Sequence, residues 1–200
     1  ERDINKSIKY LTLAANQNDP SAQFYLGFIY YEGIFIKRNI NKSIHYFTVA
    51  ADQNHSDALT NLGSIYLEGK YVKEDIEKAI YYFTLAAKNK DSNALTSLGL
   101  IYLEGIFIQR DIHKSIHYLT LAANLNGMQA QFYLGYLYFT GNHIKRDIEK
   151  AIFYFKLAAK QNHSGALAML GYIYADGKYF DSDKSLYYFE RAAELDNSEA

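Results

Sequence analysis

The chain lacks cysteine and tryptophan altogether and holds a single proline. Without cysteine there is neither a disulfide framework nor a thiolate zinc site, which removes the stapled secreted miniature folds and weighs toward a cytoplasmic protein. Charge of one sign is also missing. Lysine plus arginine number 21 and aspartate plus glutamate 22, a net charge of -1, so no overall field draws the chain to nucleic acid or to an anionic membrane. No uninterrupted apolar run approaches the roughly 20 residues of a membrane span, and the opening "ERDINKSIKYLTLAAN" has the pattern of an amphipathic helix, not of a signal peptide. Nor is there a serine or cysteine nucleophile motif, or a glycine-rich phosphate loop. Against these absences stand 20 tyrosines and 12 phenylalanines, a supply that implies many rings half buried and half wet.

What is present is a repeat. The pairs Leu26-Gly27, Leu62-Gly63, Leu98-Gly99, Leu134-Gly135 and Leu170-Gly171 recur every 36 residues, and the alanine pairs beginning at Ala14, Ala50, Ala86, Ala122 and Ala158 keep the same step. A sixth pair, at Ala192, comes two residues early, because the loop "GKYFD" is shorter than "GNHIKRD". Each unit carries two one-faced helical patterns. Helix A runs from about Ala22 to Glu32 and helix B from about Ile4 to Asn16, with counterparts along the chain. Asp3, Asn39, Asp75, Asp111, Asp147 and Asp181 precede successive helices B as expected N-caps, and Asn18, Asn54, Lys90, Asn126 and Asn162 occupy the expected left-handed position after them.

Two glycines in each helix A need separate causes. Gly33, Gly69, Gly105, Gly141 and Gly177 stand where a positive φ ends the helix. Gly27 and its equivalents fall inside the helix, where glycine costs about 1 kcal/mol relative to alanine. Close approach of a neighbouring helix is the expected compensation, with the alanine pair of helix B facing the glycine and the rings of Tyr30 and Tyr46 flanking the contact.

In the order A-x-x-x-L-G-x-x-Y-x-x-G followed by D-x-x-K-[AS]-I-x-Y-[FL]-x-x-A-A, these residues resemble the Sel1-like repeat, a subclass of tetratricopeptide-like repeats, over essentially the whole chain. Tyrosine replaces the family's frequent helix B tryptophan, and asparagine its frequent glycine after the alanine pair. The resemblance implies an all-α fold, an α/α right-handed superhelical solenoid of about five units, near 20–54, 56–90, 92–126, 128–162 and 164–196, behind a first helix B at 3–17. It also implies a noncatalytic scaffold or adaptor. Such arrays serve degradation complexes, chitin synthase activation, bacterial host interaction and, beside kinase domains, regulation, so a regulatory arm of a larger protein is the alternative.

If the consensus residues hold helices together, the columns that vary while the frame stays fixed are where a partner would be read. Within helix A they are Phe24, Tyr25 and Phe28; Thr60, Asn61 and Ser64; Thr96, Ser97 and Leu100; Phe132, Tyr133 and Tyr136; and Ala168, Met169 and Tyr172. These positions share a helix face, expected to line a concave surface that takes a protein or peptide partner. A second patch sets Glu32, Glu68, Glu104 and Asp176 ahead of the capping glycine and Lys37, Arg38, Lys73, Arg110, Lys145 and Arg146 after it, in position for local pairing. His113 and His117 have a zinc-compatible spacing but no carboxylate in an HExxH frame, so no metal and no cofactor is expected. Both ends look cut from a longer array, since a helix B comes first and Ala200 occupies the Ala166 column; such open ends are expected to allow end-to-end self-association.

Overall fold

A computed structural model of the chain describes residues 4–34, 36–106 and 108–198, with side chains through Leu195. The described residues form eleven α-helices and a 3-10 turn, with no strand among them. Helix A of the successive units is α2 (Pro20–Glu32), α4 (Ser56–Glu68), α6 (Ser92–Glu104), α8 (Met128–Thr140) and α10 (Ser164–Ala175). Helix B is α1 (Ile4–Asn16), α3 (Ile40–Asp52), α5 (Ile76–Lys88), α7 (Ile112–Asn124), α9 (Ile148–Ala159) and α11 (Ser182–Ser198). They gather into two compact units, 1–98 and 99–200. In the first, α2 packs on α3 and α4 on α5; in the second, α8 packs on α9 and α10 on α11.

Each helix B from α3 onward is pinned by one residue acting in two directions. The side chains of Asn39, Asp75, Asp111, Asp147 and Asp181 each accept from the backbone N–H three residues on, at 3.0 Å. Their own N–H groups donate back to Tyr30, Tyr66, Tyr102, Tyr138 and Tyr174, near the end of the preceding helix A. One short side chain thus starts a helix and closes a loop. Asp3 and Ala200 lie outside the described residues. At the other end, Asn18, Asn54, Lys90, Asn126 and Asn162 all have φ between 59° and 66°, as the pattern predicts.

Many of the tyrosines go into a recurring stack. Tyr30 lies on Tyr46 with centroids 5.8 Å apart and planes 4° from parallel, and the same pairing recurs as Tyr66–Tyr82, Tyr102–Tyr118, Tyr138–Tyr154 and Tyr174–Tyr188. A lysine from the first turn of helix B sits about 5 Å over the ring from helix A: Lys42, Lys78, Lys114, Lys150 and Lys184. Four of these lysines also pair with the N-cap carboxylate three residues back, Lys78 with Asp75 at 3.1 Å, Lys114 with Asp111 at 3.6 Å, Lys150 with Asp147 at 3.8 Å and Lys184 with Asp181 at 2.5 Å.

The glycine inside helix A meets a different neighbour from the one its sequence suggested. A Cβ built on Gly27 would lie 2.6 Å from Phe47, on Gly63 2.6 Å from Phe83, and on Gly135 2.6 Å from Phe155; Gly99 faces Leu119 in the same way. The expected contact of glycine with the alanine pair is therefore replaced by glycine against a ring. The face of a phenyl group is flat and wide, and it fits the notch left by a missing methyl with no loss of density. Alanine pairs serve the next interface instead: Ala15 clusters with Ala22 and Leu26, and Ala158 with Ala166 and Leu170.

Gly69 ends α4 at φ 61°, its N–H bonded to Ile65 C=O. Gly177 keeps the expected positive φ, 74°, but does not sit directly at the helix end. Here α10 stops at Ala175, Asp176 is extended, and Gly177 opens the 3-10 turn Gly177–Tyr179. The loop that follows is two residues shorter than its counterparts, and here the left-handed residue comes one position later, after an extended Asp176.

Candidate functional site

The varying columns of helix A divide by what already touches them. In α2, Phe24 is half-buried and stacks on His55 at 4.9 Å, with Phe47 behind it at 5.8 Å. In α8, Phe132 lies on His163 at 4.4 Å and against Phe155 at 5.9 Å. These two rings spend their faces on packing. Other rings of these columns touch a neighbour but keep more of their surface open: Tyr25 is 54% exposed, Phe28 42%, Tyr136 46%, and Tyr172 in α10 63%. Asn61, Ser64, Ser97, Leu100, Tyr133 and Met169 are half-buried, and Asn61 donates to Asp57 C=O of its own helix at 2.8 Å.

Sequence reasoning missed the support beneath the two aromatic groups. Gln23 and Gln131 are buried side chains. Gln23 Nε2 donates to Ala15 C=O at 3.2 Å, and its Oε1 accepts from Gln53 Nε2 at 2.7 Å. Gln131 repeats this, donating to Ala123 C=O at 3.2 Å and accepting from Gln161 at 2.9 Å. Satisfied on both sides, the amide fixes the helix turn that carries the exposed rings. The signal was in the chain, since "AQFYLG" and "QNHS" each occur twice, at 22–27 and 130–135 and at 53–56 and 161–164. His163 caps α10: its Nδ1 accepts the Ala166 N–H at 3.1 Å, which leaves Nε2–H to donate to Gln129 Oε1 at 3.2 Å. Burial holds its pKa below the usual imidazole value.

The acidic and basic edge pairs otherwise than expected. Arg38 leaves Glu32's carboxylate alone and donates to backbone carbonyls at the C-terminus of α2, to Tyr31 at 2.8 Å and Glu32 at 3.0 Å, and to the Tyr71 hydroxyl at 2.7 Å. Arg110 likewise bonds Glu104 C=O at 3.1 Å and contacts His143 at 3.3 Å. The helix-end carbonyls need partners and are already fixed within reach of the fork, whereas an exposed carboxylate would first have to be ordered. Among the described residues no ion pair joins these arginines to Glu32, Glu68 or Glu104.

At the end of α8 and α10 a groove of about 730 Å³ opens, walled by Phe139, Tyr172 and Tyr179 and floored by the start of α9. Phe139 meets Tyr172 edge to face at 5.9 Å, and the Arg146 guanidinium lies 5.6 Å over the Phe139 ring. His113 and His117 lie elsewhere, on α7, and no cluster of three metal-ligating side chains occurs among the described residues. No described helix is long and apolar enough to cross a membrane.

The Sel1 repeat profile matches residues 1–19, 20–55, 56–91, 92–127, 129–163 and 164–197, nearly the full chain. The chain belongs to the Sel1 repeat family. Among solved structures, a Sel1 repeat protein from Oxalobacter formigenes is 34% identical, with a TM-score of 0.90 over 96% of this chain and 80% of that one. A protective antigen of uropathogenic Escherichia coli with the same repeat fold is 27% identical at TM-score 0.82, covering 96% of this chain but only 42% of its own length. A third Sel1 repeat protein, from Klebsiella pneumoniae, is 21% identical at TM-score 0.62 over 96% of this chain and 99% of its own, a likeness of fold alone. The chain matches none of the curated proteins with which it was compared. The all-α helix-pair fold expected of Sel1 repeats is thus the fold observed, and proteins of this family are in general interaction scaffolds.

Proposed function

We propose that this Sel1 repeat chain is a noncatalytic scaffold that takes segments of a protein partner on exposed helix A rings, Tyr25 and Phe28 on α2 of the first unit and, separately, Tyr136 on α8 of the second. One observation carries the reading. These rings stay 42% to 54% exposed although each sits beside a sister ring, Phe24 or Phe132, that is packed away. Large rings with few rotatable bonds bind at little entropic loss, which is why they anchor protein interfaces. The buried glutamines hold the turn rigid, so the surface is ordered before a partner arrives.

Selection of a displayed random peptide library on the whole chain tests this. Enriched peptides should bind Tyr25→Ser/Phe28→Ser/Tyr136→Ser at least about tenfold more weakly, while the urea midpoint hardly moves because the rings are exposed. Equal loss of binding and stability would assign these rings to packing, and a library that enriches nothing would remove the scaffold reading.

A further inference from the structure

Arg146 holds the same place in the repeat as Arg38 and Arg110, and its Nε makes the bond that Arg38's makes, here to Phe139 C=O at 2.9 Å. Its two terminal nitrogens do not follow. In Arg38 they reach Glu32 C=O and the Tyr71 hydroxyl, and in Arg110 they reach Glu104 C=O and His143, 33 residues ahead. The residue 33 ahead of Arg146 is Tyr179, which stands in the shortened loop and bonds Glu149 at 3.4 Å instead. Among the described residues, nothing accepts from the Arg146 fork.

The acids of the groove are already committed. Asp147 caps α9 and pairs with Lys150, Glu149 pairs with Lys178 at 3.6 Å, and Asp176 accepts the Gly177 N–H at 2.6 Å. Lys145, on the same wall, has no partner among the described residues either. The groove therefore presents two unspent cations, one of them a planar fork held in place by Nε and by the Phe139 face, beside the 63% exposed ring of Tyr172. A guanidinium fixed in this way is matched by a carboxylate, which takes both terminal N–H groups at once.

We infer that this groove of the second unit binds an acidic side chain of the partner peptide, an aspartate or glutamate held by Arg146 and Lys145, with an adjoining apolar residue laid on Tyr172 and Phe139. The inference rests on the scaffold reading and names the chemistry of its partner. Two arginines spend both terminal nitrogens inside the fold and the third spends neither: the Tyr179 hydroxyl in the shortened loop bonds Glu149, which leaves the fork for an external acceptor.

The peptides enriched on the wild-type chain decide the matter. An aspartate or glutamate should recur at one position beside an aromatic or aliphatic residue. A synthetic peptide of that sequence should bind about tenfold more weakly to Arg146→Gln, and replacing its acid by the amide should weaken wild-type binding as much but leave Arg146→Gln binding unchanged. Arg146→Lys should recover only part of the loss, since it keeps the charge without the fork. Lys145→Gln, which breaks no contact in the fold, should weaken the same peptide about threefold and guards against a folding defect in the arginine variants. Enriched peptides with no acid preference, or an acid effect that survives in Arg146→Gln, would overturn this inference and leave the scaffold standing; failure to enrich any peptide would overturn both.

Discussion

Gly135 shows, at the scale of one residue, how an absent methyl group organises the contact between two helices. The nearest atom to a Cβ built there would be Phe155 Cδ1 at 2.6 Å, well inside the sum of van der Waals radii. Phe155 is wholly buried among Ala151, Ala158, Ala166 and Leu170, so its ring has nowhere to retreat. Two effects compete in Gly135→Ala. Helix propensity would stabilise by about 1 kcal/mol, while overpacking a filled core costs about 1–3 kcal/mol. Overpacking wins here because the obstructing atom belongs to a buried ring. A net loss of about 1–2 kcal/mol is expected, read as a lower urea midpoint at unchanged slope; a stabilised variant would mean the ring is free to move. The sequence already marked this glycine as a close approach, yet named the wrong partner. The column 47, 83, 119, 155 and 189 reads Phe, Phe, Leu, Phe, Phe, nearly as constant as the glycine it faces. Spacing along one helix does not reveal which residue of another helix comes opposite, because that depends on where the two axes cross.

Helix ends were the most legible elements, since a cap is a local bond between residues three or four apart. The capping aspartates and the asparagines at positive φ all follow from short sequence windows. The N-terminus of α10 was not legible, because its cap is a histidine whose state is set by tertiary packing on Phe132. Its bond needs neutral Nδ1 as acceptor, and a proton there would turn acceptor into donor against the Ala166 N–H. Burial lowers the folded pKa of His163 below its ordinary 6.5, so the folded chain binds fewer protons than the unfolded one as pH drops through that value. His163 thus adds stability that is complete above pH 6.5 and is lost progressively below it. The urea midpoint of the wild type should decline between pH 6.5 and 5 more steeply than that of His163→Asn, which can cap the helix without titrating. Parallel slopes would show that the imidazole does not govern this helix end.

For the whole molecule, the repeat, the helix pairs and the family were legible in the residues, because a strict 36-residue period repeats the same local rules along the chain. The sequence could not show which rings of a shared helix face stay uncovered. Phe24 and Tyr25 are adjacent and equally aromatic, but His55 covers one and leaves the other 54% exposed. Nor could it show that the Arg146 fork finds no acceptor among the described residues, because that depends on the Tyr179 hydroxyl 33 residues away, which bonds Glu149. One whole-chain property does follow from composition joined to exposure. The net charge is -1 and the isoelectric point about 6.7, so little long-range repulsion separates molecules near neutral pH. Exposed rings and aliphatic groups such as Tyr10, Ile34, Ile106, Phe153 and Phe180 then meet at short range. Static light scattering at fixed concentration should show the strongest association close to pH 6.7 and weaker association at both pH 5.5 and pH 8.5, where net charge of either sign returns. Added salt should reduce the contrast between these conditions by screening that charge. Scattering that rises steadily toward either extreme would mean that specific titrating contacts, not the loss of net charge, bring the molecules together.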